Sequence, residues 1–131
     1  MKEEATMSLQ LLTRKNASCN ELLCAVYNLN PVELEVFYQL AGGASAGLDE
    51  IALKVKRDRT TIYRSLQKLV SIQLCYKETK ALKEGGYYHL YSATELARVK
   101  EQAEQRVKAI TTSLGIMLHN FESDVRKHCC A

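Results

Sequence analysis

Apolar residues recur along this chain at two different spacings, and the change of spacing marks its elements. Over 19–29, Leu22, Leu23, Val26 and Tyr27 stand at helical intervals and predict a short helix. Asn30 followed by Pro31 is a start signal, because Asn offers a side-chain oxygen to orphan amides and Pro suits the first helical position. The helix they open carries Val32, Val36, Phe37 and Leu40 on one face and runs to about Ala41, where Gly42-Gly43 ends it. A loop over 44–47, with a residue of strand near Leu48, leads to a second helix at 49–55 that turns Ile51, Ala52 and Val55 inward. Lys56-Arg57 makes a tight turn, and Asp58 caps a third helix at 59–71. Its residues Ile62, Leu66, Leu69 and Val70 share one face.

The spacing then shortens. Residues 74–79 and 87–92 read as strands joined by a charged, glycine-containing loop over 80–86, which makes a β-hairpin. Here Tyr76, Tyr87, Tyr88 and Tyr91 are expected to pack and pair the strands, and Cys75 to fill the core beside them.

From Thr94, a candidate cap, the helical period returns, with Leu96, Val99, Ala103, Val107, Ile110, Leu114, Met117, Phe121 and Val125 three or four residues apart. A helix of ~32 residues is ~48 Å long, more than the preceding body can cover. The stripe Val99, Ala103, Val107, Ile110, Leu114, Met117 and Phe121 therefore predicts a homodimer through the same helix of a second copy. Gly115 interrupts the run and predicts either a close crossing or a bend. The expected fold is mainly α with a small β-hairpin: a winged helix-turn-helix with a long C-terminal dimerisation helix. It divides into an N-terminal helical extension (1–29), the winged domain (30–93), and the dimerisation helix with its cysteine-containing tail (94–131).

Charge sharpens this picture. From Lys54 to Lys83 there are nine Lys/Arg against two Asp/Glu, a net +7; the remaining residues carry nine against thirteen, a net −4. A basic block in an otherwise acidic chain is an electrostatic footprint for a polyanion. The third helix, with its aliphatic face inward, turns Thr60, Thr61, Arg64, Gln67 and Lys68 outward, with Tyr63 at the flank and Arg59 at the start. No acid occurs over 59–77, although an ordinary solvated helix mixes both signs. Arg can pair bidentately with guanine, Gln with adenine, and Thr can touch a thymine methyl or a phosphate. Lys56 and Arg57 in the turn, with Lys77, Lys80 and Lys83 on the hairpin, lie where a phosphate backbone would pass. The predicted partner is double-stranded DNA.

The run Asp58-Arg-Thr-Thr-Ile-Tyr-Arg-Ser-Leu-Gln-Lys-Leu-Val70, followed by a Tyr-rich hairpin and a long helix, resembles the winged-helix domain of TrmB-like archaeal transcriptional regulators, within the wider MarR and ArsR group. The resemblance covers about residues 30–95. It implies transcription regulation, with Arg59, Thr60, Thr61, Tyr63 and Arg64 at recognition-helix positions. Full-length relatives carry a sugar-binding domain after the long helix; this chain stops there, so sugar sensing is not implied. Lys56 stands in the turn where such motifs often have glycine.

Five cysteines are many for a cytoplasmic chain of this length. Cys19 and Cys24 lie near one end, and His128, Cys129 and Cys130 at the other. Brought together in a dimer, they could hold zinc or an iron–sulfur cluster, or form a reversible disulfide. The spacing matches no established metal signature. His89 and His119 read as surface or interface residues.

No phosphate-binding glycine loop, nucleophile elbow or HExxH occurs, so an enzyme is not expected. No apolar run approaches the ~18 residues of a membrane span, and the charged start Met1-Lys2-Glu3-Glu4 precedes no signal-peptide core. The expectation is a cytoplasmic protein without membrane contact. The competing reading is a winged helix used as a protein-interaction module in a transcription complex.

Overall fold

The computed structural model of the chain describes residues 10 and 12–129. They fall into two compact units, divided between Val99 and Lys100.

The first unit contains helices α1 (Cys19–Tyr27), α2 (Pro31–Ala41), α3 (Leu48–Val55) and α4 (Arg59–Ser71), then strands β1 (Cys75–Ala81) and β2 (Tyr87–Ala93). Asn30 caps α2 as expected: its side chain accepts from the Glu33 amide at 2.8 Å, while Glu33 Oε1 accepts from the Asn30 amide at 2.9 Å. This reciprocal pair satisfies two orphan donors at once. Val36, Phe37 and Leu40 of α2, Ile51 and Val55 of α3, and Ile62, Leu66 and Leu69 of α4 are all buried, together with Leu74, Cys75 and Tyr91. Those aliphatic faces fix how the three helices pack.

The turn between α3 and α4 is built on Lys56, which adopts the left-handed conformation (φ 61°, ψ 46°) and donates its amide to Ala52 O at 2.9 Å. Glycine is the usual residue for such a φ, and here a lysine adopts it. Gln73 plays the same part after α4 (φ 66°), where the Leu74 amide returns to Leu69 O at 2.9 Å.

The strands pair antiparallel in the register Cys75↔Ala93 through Ala81↔Tyr87, two residues further toward the tip than the sequence pattern predicts for β1. Gly85 and Gly86 (φ 96° and 87°) close the tip. The isolated strand residue is Ala46 rather than one near Leu48: it exchanges both backbone hydrogen bonds with Tyr91, at 3.0 and 2.8 Å. Thr94 does not cap the following helix. Its hydroxyl donates to Gln73 O and its amide to Leu74 O, both at 2.9 Å, which ties the end of β2 to the start of β1.

Helix α5 (Leu96–His119) and helix α6 (Phe121–Cys129) replace the single helix expected after Thr94. The interruption is at Asn120, and it is slight, because Asn120 N still bonds Ile116 O and Asp124 N bonds Asn120 O at 3.1 and 2.9 Å. Gly115 causes no break; it lies inside α5, and a Cβ there would meet nothing within 4 Å. Val99 and Ala103 are buried in the single chain, whereas the stripe from Val107 through Val125 is exposed. Among the described residues no helix is long and apolar enough to cross a membrane.

Candidate nucleic-acid interface

Helix α4 is placed by its buried face, and everything opposite that face is presented outward. Ile62, Leu66 and Leu69 are fully buried, and Ser65 beside them bonds back to Thr61 O at 3.0 Å. Arg59, Thr60, Tyr63, Arg64 and Gln67 are exposed. Thr60 and Arg64 are four residues apart, so they project from successive turns of one face. Gln67 Nε2 donates to Tyr63 Oη at 3.0 Å, which steadies both side chains on the surface. Among the described residues Arg64 makes no ion pair.

Asp58 starts the helix. It accepts from the Thr61 amide at 3.4 Å and from the Thr61 hydroxyl at 2.5 Å. Those hydrogen bonds, the hydroxyl first, hold the Asp58 carboxyl below its ordinary range. They also correct one expectation, because the Thr61 hydroxyl is engaged in the cap and its side chain is only half exposed.

Lys68 is a second correction. It does not lie with the outward cations but reaches back across the first unit. Its ammonium donates to Asn28 O and, at 3.0 Å, to Glu33 Oε1, whose side chain is 10% exposed. A buried carboxylate needs a cation and hydrogen bonds, and Lys68 with the Asn30 amide supplies them. Sequence periodicity gives no sign of this, since an acid in the first turn of a helix is common.

Around α4 the other predicted cations divide. Lys56 and Arg57 are exposed in the turn. Arg59 is paired with Asp49 of α3, at 2.7 Å. On the hairpin Lys77, Lys80 and Lys83 are exposed, with Lys80 held by Glu78 at 3.3 Å. Of the hairpin tyrosines only Tyr91 is in the core, where burial raises its hydroxyl pKa. Tyr76, Tyr87 and Tyr88 are exposed, Tyr87 at 74%, so the hairpin runs out beyond the core rather than packing along its length. Tyr63, Tyr87, Tyr88, Arg59, Thr60 and Asp49 line an open cleft of ≈ 670 Å³ between β2 and the starts of α3 and α4. The sequence did not reveal this cleft, because it depends on how the hairpin leans.

Cys19 and Cys24 belong to the first unit, His128 and Cys129 to the second, and Cys130 lies outside the described residues. Among the described residues no three His, Cys, Asp or Glu side chains are grouped so as to hold a metal ion. Cys19 Sγ lies 3.4 Å from Tyr38 Oη, which also bonds Asn20. Cys75 is buried, and desolvation pushes its thiol up to about 12.

Comparison with known proteins bears on the family and the fold. The sequence model of the family described as "Sugar-specific transcriptional regulator TrmB" matches residues 23–97, more than half of the chain. The uncharacterised protein MJ1082 of Methanocaldococcus jannaschii is 30% identical over 70% of this chain and 75% of its own length. MJ1503 of the same organism is 26% identical over 63% of this chain; the match spans 62% of that protein. Among solved structures, a possible transcriptional regulator from Methanosarcina mazei Go1 superposes with TM-score 0.73 at 19% identity, covering 83% of this chain and 95% of the other. The ST1889 protein of Sulfolobus tokodaii superposes with TM-score 0.61 at 16% identity, covering 72% and 93%. At these identities the structures speak for the winged-helix fold alone.

Proposed function

Since the chain belongs to the TrmB family of winged-helix transcriptional regulators, we propose that it reads double-stranded DNA sequence-specifically as a homodimer, with α4 in the major groove. The observation that carries this reading is the division of α4: Ile62, Leu66 and Leu69 buried, Thr60, Arg64 and Gln67 outward, and no acid anywhere over 59–77. Arg64 and Gln67 read base edges, and Thr60 and Arg59 at the helix start meet phosphate or a thymine methyl. Lys56, Arg57, Lys77 and Lys83 lie along the phosphate backbone and supply affinity that falls with salt. Two copies read two half-sites, so the operator is expected to be a near-palindrome.

Electrophoretic mobility shift on random duplex DNA over a range of salt concentrations tests this reading. Binding that weakens linearly in log salt supports it. Absence of binding at low salt overturns it and leaves the protein-interaction module, to which the exposed Tyr63, Tyr87 and Tyr88 are also suited. The reading extends to a redox or metal response through Cys19, Cys24, His128, Cys129 and Cys130 drawn from two chains, with zinc or an iron–sulfur cluster as the bound group. Metal analysis and an absorbance spectrum of protein purified without oxygen test it.

A further inference from the structure

The second unit carries an apolar face that its own residues leave exposed. Val107, Ile110, Leu114, Met117, Phe121 and Val125 are each 40–59% exposed, although their spacing places them on one side of α5 and α6. The stripe is ~27 Å long at 1.5 Å per residue.

The charges beside that stripe are ordered in blocks. After Lys100 come Glu101 and Glu104, then Arg106 and Lys108; residues 109–121 contain no Asp, Glu, Lys or Arg; then come Glu122 and Asp124, and finally Arg126 and Lys127. Read forward the blocks are negative, positive, neutral, negative, positive. Read backward every charged block has the opposite sign.

From this order we infer that the occupant of the stripe is a second copy of the same helices running antiparallel, with the two-fold axis passing between Gly115 and Ile116. The arrangement rests on the homodimer reading above and fixes its geometry. Leu114 of one copy meets Met117 of the other, and Ile110 meets Phe121, each pair repeated by symmetry. Arg106 and Asp124 are eighteen residues apart, five full turns, so they share one flank of the stripe, each one residue before a valine of the stripe. The axis brings Arg106 of one copy beside Asp124 of the other, twice. A parallel pair buries the same apolar residues but sets each charged block level with its own copy, so charge selects the antiparallel form. Gly115 follows Leu114 and lies off the seam, so its role is not a close crossing of helices.

Two measurements on the full chain test the arrangement. Arg106→Asp is expected to raise the dimer dissociation constant by about tenfold, since it removes two pairs and opposes like charges. The double variant Arg106→Asp, Asp124→Arg is expected to restore it. Within one chain these positions are ~27 Å apart, so rescue reports a contact between chains. Spin labels at Gln105 and Thr112, each a single cysteine with the native cysteines replaced, give a second readout. The antiparallel form separates the paired labels along the axis by ~32 Å at 105 and ~10 Å at 112. A light-scattering dimer with equal separations at both sites, or with no rescue by the double variant, overturns the antiparallel form and leaves the dimer standing. A monomer by light scattering overturns both.

Discussion

Arg59 Nε donates to Asp49 Oδ1 across 2.7 Å, so the first residue of α4 is tied to the first turn of α3 at the mouth of the cleft. Both side chains are mostly exposed, at 67% and 80%, so the pair adds little to stability. On the DNA-binding reading its consequence is for binding, because Asp49 would compete with a phosphate for the same guanidinium. Asp49→Asn is expected to tighten DNA binding several-fold and to steepen the dependence of log affinity on log salt by about one. Fluorescence anisotropy over a salt series measures both. Weaker binding by the variant would mean that Asp49 orients Arg59 rather than withholding it.

Arg64 and Lys68 are one turn apart on α4 and are expected to behave oppositely. Arg64 is exposed and has no ion pair among the described residues, so Arg64→Ala leaves the fold unchanged and costs about 1–3 kcal/mol of sequence discrimination. Lys68 neutralises the buried Glu33. Lys68→Ala therefore leaves a nearly buried carboxylate without its cation and lowers unfolding free energy by about 1–3 kcal/mol, with little effect on DNA binding by the folded fraction. Urea unfolding and a competition assay on matched and mismatched duplexes separate the two effects.

Cys75 and Cys19 differ in burial. Burial alone raises the Cys75 thiol to about 12, whereas Cys19 is exposed. At pH 8 iodoacetamide is expected to alkylate Cys19 within minutes and to leave Cys75 untouched until the protein unfolds. The sign of the linkage follows from the direction of the shift. The fold favours the neutral thiol, so this contribution is complete below the thiol's unfolded pKa and is lost as pH rises toward about 12. Mass spectrometry of native and denatured samples reads the modification. Alkylation of Cys75 in the native protein would show that β1 opens locally.

Much of this architecture was legible because it depends on local period and local chemistry. Asn30-Pro31 set the start of α2, and the spacing of Ile62, Leu66 and Leu69 set the inward face of α4. Outward residues such as Thr60 and Arg64 followed from that face alone. What the sequence concealed depends on chain segments far apart in number. Lys68 sits among outward cations by charge, yet it turns back to Glu33, thirty-five residues earlier, because a buried acid draws the nearest long cation. Thr94 looked like a cap but bonds Gln73 across the base of the hairpin. The tyrosines read as strand residues, but the hairpin is covered only at its base, where Cys75 is buried and Ala46 pairs with Tyr91. Asn120 rather than Gly115 marks the helix interruption, since an exposed glycine inside a long helix costs only about 1 kcal/mol and need not break it.

The hairpin lysines give the last prediction, because their surroundings differ although their charges do not. Lys80 lies on β1 opposite Tyr88 and is paired with Glu78 at 3.3 Å. Lys83 is in the tip, Lys77 lies opposite Tyr91, and neither makes an ion pair among the described residues. A lysine that neutralises a phosphate releases about one counterion, so its loss flattens the salt dependence by roughly one and weakens all sequences alike. Replacing Lys77 and Lys83 together by Ala should flatten the slope by about two without changing the preference between matched and mismatched duplexes. Lys80→Ala should do less, because the released Glu78 was already offsetting that charge. A hairpin variant that alters base preference would place the wing in a groove rather than along the backbone.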